Sequence, residues 1–363
     1  MRIIVGVVLA ALAASCETLE FYRQAVAGQM SILSHRQSSA ALIAAPDADA
    51  HLRDRLRRVA ELVQFAHDHL ALEGGTRYSS YVRVDGQYVV WNVFAAPEFA
   101  TAPTQWCYPI AGCASYRGYF DARDAHRYAQ RLIAGGQDTT VGGVAAYSTL
   151  GWFDDPVLST FIEWSDPELA GLIFHELAHG RLFAAGDTAF NEAFASFVER
   201  RGELAWLRSL GDESQTLKTI TRWRTSDRFV AFLLKWRDEL QRLYDQPANT
   251  GALRMLKTEL LAEVERCYRA NEDVLGNEDW FFRDDLNNAR LVPFAAYHEL
   301  IAGFERVFAQ SDDSWPVFYA SAAKLAHLDK TARTAELMRL GREQRATDHK
   351  TEAVPIRCDT LRF

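Results

Sequence analysis

A basic surplus is the first thing this chain lacks. Its 363 residues carry 40 Lys and Arg against 48 Asp and Glu, for a net charge of −8 and a pI near 5.7. The cations are scattered among acids on helical stretches, so no basic patch for nucleic acid stands out and the charge reads as a solvated surface. No hydrophobic run spans a bilayer comfortably; Ile3–Ala14 has the length of a signal-peptide core. There is no internal repeat and no low-complexity tract, so solenoids and disordered arrays are excluded. No Cys-x-x-Cys pair occurs among the five cysteines, which argues against a thiolate zinc ribbon. What is present is apolar material for a large core: 48% of the residues are hydrophobic.

The N-terminus reads as a targeting segment. Arg2 precedes the apolar run, and small residues lead to Ser15-Cys16, resembling a bacterial lipoprotein signal with Ala13 where Leu is commoner. The plainer alternative is an ordinary signal peptide cleaved near Cys16. Acylation at Cys16 would make residues 1–16 the signal and tether the protein, exported and lipid-anchored, to a bacterial membrane, the outer membrane facing the periplasm. The four remaining cysteines are an even number, which suits disulfides in an exported protein. Cys107 and Cys113 lie in a turn-rich stretch suited to a short bridge; Cys267 with Cys358 follows by elimination.

Periodicity organises residues 17–363 as one domain. Helices are expected at 17–34, with Leu19, Tyr22, Val26, Met30 and Leu33 at helical intervals, and at 47–72. Residues 76–96 change period and predict two strands around the hairpin signal Asp85-Gly86. A strand at 116–120, a helix at 122–134 and a strand at 139–147 follow. From Pro167 onward the pattern is helical: 166–184, 190–208, 213–245, 250–273, 278–309, 315–327 and 330–346. This predicts an α+β, predominantly α architecture: strands and N-terminal helices over 17–164, two helices over 165–210, and a helical part over 211–363.

The chemistry concentrates in the two middle helices. His175 and His179 stand four residues apart on one helical face, about 6 Å along the axis. Both imidazoles can reach one Zn²⁺ at about 2.0–2.1 Å. Glu176, one residue on, can approach a water without ligating the metal, as a general base needs. Ser165 or Asp166 can cap this helix, with Pro167 in its first turn. A catalytic zinc wants three protein ligands and one open position. Glu192, after a loop containing Gly186 and Asp187, is the third; Glu199 is its supporting acid, or the ligand in a shifted register. Asn191 either caps the second helix or holds the ligands through its amide. Tyr297, on the same expected helix as Asn288, can donate to an oxyanion, with His298 as the rival donor.

Together these stretches resemble a known family. Trp106–Cys113, Tyr116–Phe120, Ala146–Phe153 with Asp155-Pro156, His175–Glu199, and Asn287–Leu291 with Tyr297 are similar to the gluzincin metallopeptidases, and among them to a bacterial aminopeptidase family with lipoprotein members. The resemblance implies a zincin-like zinc peptidase acting on peptides, with His175, His179 and Glu192 as ligands and Glu176 as base. It also implies that the strand ending near Tyr147 lies beside the cleft and holds extended peptide by β-addition, with Tyr147 and Asn288 as substrate contacts. The His179–Glu192 interval is shorter than in thermolysin-like enzymes, and Ser196 stands where they carry Asp. No exopeptidase segment of the Gly-Ala-Met-Glu-Asn type is present. An endopeptidase therefore stays open beside an aminopeptidase, and a non-catalytic zinc-stabilised lipoprotein module is the rival class.

Overall fold

The computed structural model describes residues 2–108, 112–146, 154–295, 298–347, 356 and 358. It is 64% helical with small sheets, an α+β and predominantly α fold, as the sequence pattern predicts. In chain order the first half runs α1 (Arg2–Ser34), β1 (Gln37–Ser38), α2 (Ser39–Ala44), α3 (Ala50–Leu70), β2 (Ser80–Val82) and β3 (Val90–Pro97). Then come β4 (Trp106–Tyr108), β5 (Gly112–Ala114), β6 (Arg117–Tyr119), α4 (Ala122–Ala134), β7 (Gln137–Val144) and β8 (Val157–Leu158). The helical remainder comprises α5 (Asp166–Arg181), α6 (Thr188–Ser209), α7 (Glu213–Tyr244), α8 (Thr250–Arg269) and α9 (Glu272–Leu275). A 3-10 turn (Asp279–Phe282), α10 (Asn288–Ala295), α11 (His298–Ala309), α12 (Trp315–Ala326) and α13 (Lys330–Thr347) complete it.

The expected hairpin around Asp85-Gly86 does not form. β2 pairs with β1 and, in parallel, with β8, while β3 pairs antiparallel with β6 and β7. Gly86 does adopt the positive φ the turn signal promised, at 108°, but in a loop between two different sheets. β3 is the central strand of its sheet and β7 lies along one edge, in register from Val90 opposite Val144 to Pro97 opposite Gln137. The helix expected over 278–309 does not start as one piece: a 3-10 turn (Asp279–Phe282) is followed by non-helical residues 283–287 before α10 begins at Asn288, with Pro293 inside α10. Asn288 thus starts α10.

α1 continues the apolar N-terminal stretch without a break. Among the described residues no helix is long and apolar enough to cross a membrane. The apolar positions Leu19, Tyr22, Val26 and Met30 face outward. The inner face carries Gln24, which accepts from Phe120 N–H (3.1 Å) and donates to Gly118 O (3.3 Å), so α1 is fastened to β6.

The core has three parts. The largest wraps α5 and α6 with α3, β2, β8 and α11–α13. A second is built by α7, α8, the 3-10 turn and α10 around Phe229, Trp236, Tyr268 and Phe281. The third seats α4 on β3 and β6. Cys107 and Cys113 are bridged across the β4–β5 pair, and Cys267 in α8 is bridged to Cys358.

Candidate metal centre

α5 begins at Ser165, whose N–H (3.2 Å) and hydroxyl (2.5 Å) both donate to Glu168, with Pro167 in the first turn. Asp166 accepts instead from Arg55 (2.5 Å) and Arg58 (3.0 Å) of α3. Leu169, Ala170, Ile173, Phe174, Leu177 and Ala178 are buried, so α5 is a core helix with its histidine face turned to one side. α6 is capped by Asp187, which accepts from Phe190 N–H at 3.3 Å. Asn191 therefore does not cap. Its amide accepts from Ala184 N–H (2.7 Å) and donates to Ala184 O (2.9 Å), which fixes the loop that returns α6 beside α5. Asp187 is also paired with buried Arg333 at 2.6 Å, so α13 locks the same junction.

This junction brings His175, His179 and Glu192 together, the one potential metal-binding group among the described residues, with donor atoms within 4.8 Å of one another. His175 Nε2 is 3.2 Å from His179 Nε2 and 3.3 Å from Glu192 Oε2; His179 Nε2 is 3.7 Å from Glu192 Oε1. Ligands about 2.0–2.1 Å from one tetrahedral ion stand about 3.3 Å apart, so the three donors fit a zinc-sized ion. Glu199 Oε2 accepts from His175 Nδ1 at 2.9 Å, which leaves Nε2 with the lone pair a metal needs. His179 Nδ1 is buried and has no hydrogen-bond partner among the described residues.

The electrostatics point the same way. Burial opposes a charged His175, but Glu192 and Glu199 outweigh it and hold the imidazole well above its ordinary range. Burial likewise opposes ionisation of Glu192 and Glu199; their contacts with the histidines reverse this and keep both below the usual carboxylate range. Two ionised carboxylates facing two imidazoles form a cavity for a cation. Behind them lies Glu203, with no exposure, accepting from Arg222 at 2.9 and 3.2 Å.

Two cavities meet at the group. One, about 810 Å³, runs between Gly143–Ala146 at the end of β7 and the α5–α7 side, with Glu168, Ser196, Glu203 and Arg222 in its wall. The other, about 570 Å³, lies on the β3 side. His175 and Glu176 line both. Tyr78, buried and with φ of 61°, lines neither cavity but feels the Glu176 charge: burial, then the charges of Glu176 and Asp155, push its phenol well above the ordinary value.

The other expected site residues fare differently. Tyr147 and Tyr297 lie outside the described residues. Asn288 does not reach the cleft. It is fully buried, its amide donates to Pro97 O (3.1 Å) and Glu98 O (3.0 Å), and it accepts from Tyr244 (2.8 Å). It ties α10 to the end of β3, with both amide N–H groups engaged and no exposed surface. Glu203, Arg222, Arg333 and Tyr78 carried no sequence signal, because each acts through a partner distant in the chain.

Residues 20–337 match the family described as "putative aminopeptidase" (Aminopep). No curated protein and no solved structure gives a significant match.

Proposed function

The chain belongs to this aminopeptidase family, and from that premise we propose that it is a zincin-like, zinc-dependent peptidase. The observation that carries the reading is the set of donor separations, 3.2, 3.3 and 3.7 Å, among His175, His179 and Glu192. Two imidazoles and one carboxylate are the donor set of a zinc site with an open position. The chemistry a bound Zn²⁺ supplies is Lewis-acid polarisation of a carbonyl and acidification of water.

The residues of the chain do the rest. Glu199 holds His175 in one tautomer and orientation. Glu176, lining both cavities, accepts the proton of the attacking water and returns it to the leaving amine. The main chain of Gly143–Ala146, at the end of edge strand β7 and just past it, lines the larger cavity and is the proposed holder of an extended peptide by added-strand pairing. Tyr297 is the proposed oxyanion donor. The protein is further proposed to be acylated at Cys16 and held on a bacterial membrane; the intact mass of membrane-extracted protein decides this, since an unacylated chain removes the anchor.

The expected result for Glu176→Gln is retained zinc stoichiometry with peptide cleavage reduced about 10²–10⁴-fold. Unchanged cleavage would remove Glu176 from the chemistry. An endopeptidase is the second reading, favoured by the cavities on both sides of His175, which leave room for a chain running past the site. Digestion of a mixed peptide library separates the two: cuts confined to N-termini support the family's aminopeptidase mode, and internal cuts the other.

A further inference from the structure

The β3-side cavity has an uneven lining. Its ionisable residues near the metal group are the three candidate ligands and Glu176, and Asp187 is engaged by Arg333 at 2.6 Å. The remaining wall is strongly aromatic: Phe21, Phe94, Tyr108, Tyr116, Phe120 and Phe183. These side chains come from α1, β3, β4, both ends of β6 and the α5–α6 loop, so the lining is assembled by the fold and not by one local run. Phe94 and Tyr116 meet at 5.8 Å between ring centroids, and Phe21 stacks on Tyr108 at 5.7 Å. The opposite cavity differs in kind, with Glu168, Glu203, Arg200 and Arg222 in its wall.

The aromatic wall is also held in place. A Cβ at Gly28 of α1 would stand 2.1 Å from the Phe120 ring, so α1 presses directly on it. The β4–β5 pair, bridged by Cys107–Cys113, contributes Tyr108, Cys113 and Ala114. Its Gly112 packs against Gly186 in the α5–α6 loop, where a built Cβ would be 3.4 Å from Gly186 Cα. A cavity of about 570 Å³ falls in the range of roughly 300–1,000 Å³ that holds a small ligand.

We infer that this cavity is the side-chain subsite of the peptide, and that it selects a large apolar residue, aromatic or branched aliphatic, beside the scissile bond. The inference rests on the peptidase reading above and names its substrate class. An apolar side chain gains by leaving water for such a wall, whereas Lys or Glu would lose hydration with no counter-charge outside the metal group.

The test uses the metal-loaded full chain on peptides that differ only at the residue beside the cut: Phe, Leu, Ala, Lys or Glu. Phe and Leu are expected to exceed Ala by about 100-fold in kcat/KM, with Lys and Glu lowest. In Phe94→Ala and in Phe120→Ala the Phe-to-Ala ratio should fall by about tenfold or more. Being a ratio, it is unmoved by a partly folded sample. The second readout is calorimetric binding of the same peptides to Glu176→Gln, where Phe should again bind more tightly than Ala. A flat profile, a preference for Lys or Glu, or a Phe-to-Ala ratio untouched by both variants overturns the inference. If Glu176→Gln discriminates the peptides while the wild type cuts none, the subsite stands and the peptidase reading falls.

Discussion

Glu203 shows what burial does to a single carboxyl group in this protein. It has no exposure, and burial pushes its pKa up to about 7 from 4.5, with Arg222 opposing and Glu199 adding to the rise. The folded state therefore binds more protons than the unfolded state between those two values. Stability contributed by the protonated form is fully present below about 4.5 and is lost as pH rises through about 7. The size of the loss is about 3 kcal/mol. Glu203→Gln removes the titration and keeps a hydrogen-bonding side chain. Urea unfolding at pH 5 and pH 8, with metal removed from both proteins, should show the wild type losing about 2.5 kcal/mol more than the variant. Titration of the His175 group is common to both and cancels. Equal losses would mean that Arg222 neutralises Glu203 fully.

At the scale of elements, the α5–α6 contact decides whether the site exists. Two glycines let the helices approach. A Cβ at Gly171 would lie 3.3 Å from Glu199 Cγ, and one at Gly202 would lie 2.7 Å from Phe174 Cδ2 and 2.8 Å from Leu70 Cδ1. Replacing Gly in a helix interior ordinarily gains up to about 1 kcal/mol in propensity. At Gly202 both neighbours are fully buried, so overpacking at about 1–3 kcal/mol or more governs. Gly202→Val is expected to lower unfolding free energy by about 2 kcal/mol and to weaken zinc binding as α6 shifts; a stabilised variant would show that the contact is loose. These elements were legible where their signals are local. α4 spans the expected 122–134 because Asp121 caps it and Gly135 ends it. The His175–His179 spacing and Glu192 were readable for the same reason, since a helical repeat and one short loop place them. The hairpin around Gly86 was misread because β2 and β3 each find better partners far away in the chain. The buried tie made by Asn288 was not legible because its partners stand 44 to 191 residues away, and no local pattern announces them.

Across the whole molecule, the division of the core bears on how the C-terminal segment contributes. Cys358 and Ile356 pack on the α7–α8 cluster, away from the cluster that holds α5 and α6. The Cys267–Cys358 bridge closes a sequence separation of 91 residues. A loop of that order restricts the unfolded chain by about 4–5 kcal/mol in the entropy model, against a measured range of roughly 0–5 kcal/mol. Cys267 is 3% exposed, so truncating it to Ala also removes a buried sulfur. The double variant Cys267→Ala, Cys358→Ala should therefore unfold at about 2–5 kcal/mol lower free energy. It should keep its zinc stoichiometry, because neither cysteine lies in the core that positions His175, His179 and Glu192. The comparison with reductant separates bridge from packing. With both proteins reduced, so that the Cys107–Cys113 bridge is open in each, wild type matches the variant if the Cys267–Cys358 bridge is the cause and stays the more stable if the buried sulfur is the cause. Bridges of this kind persist in oxidising compartments, so the same measurement bears on the proposed export. A loss of several kcal/mol on reduction is the outcome expected of a chain whose bridges are kept closed by an oxidising compartment.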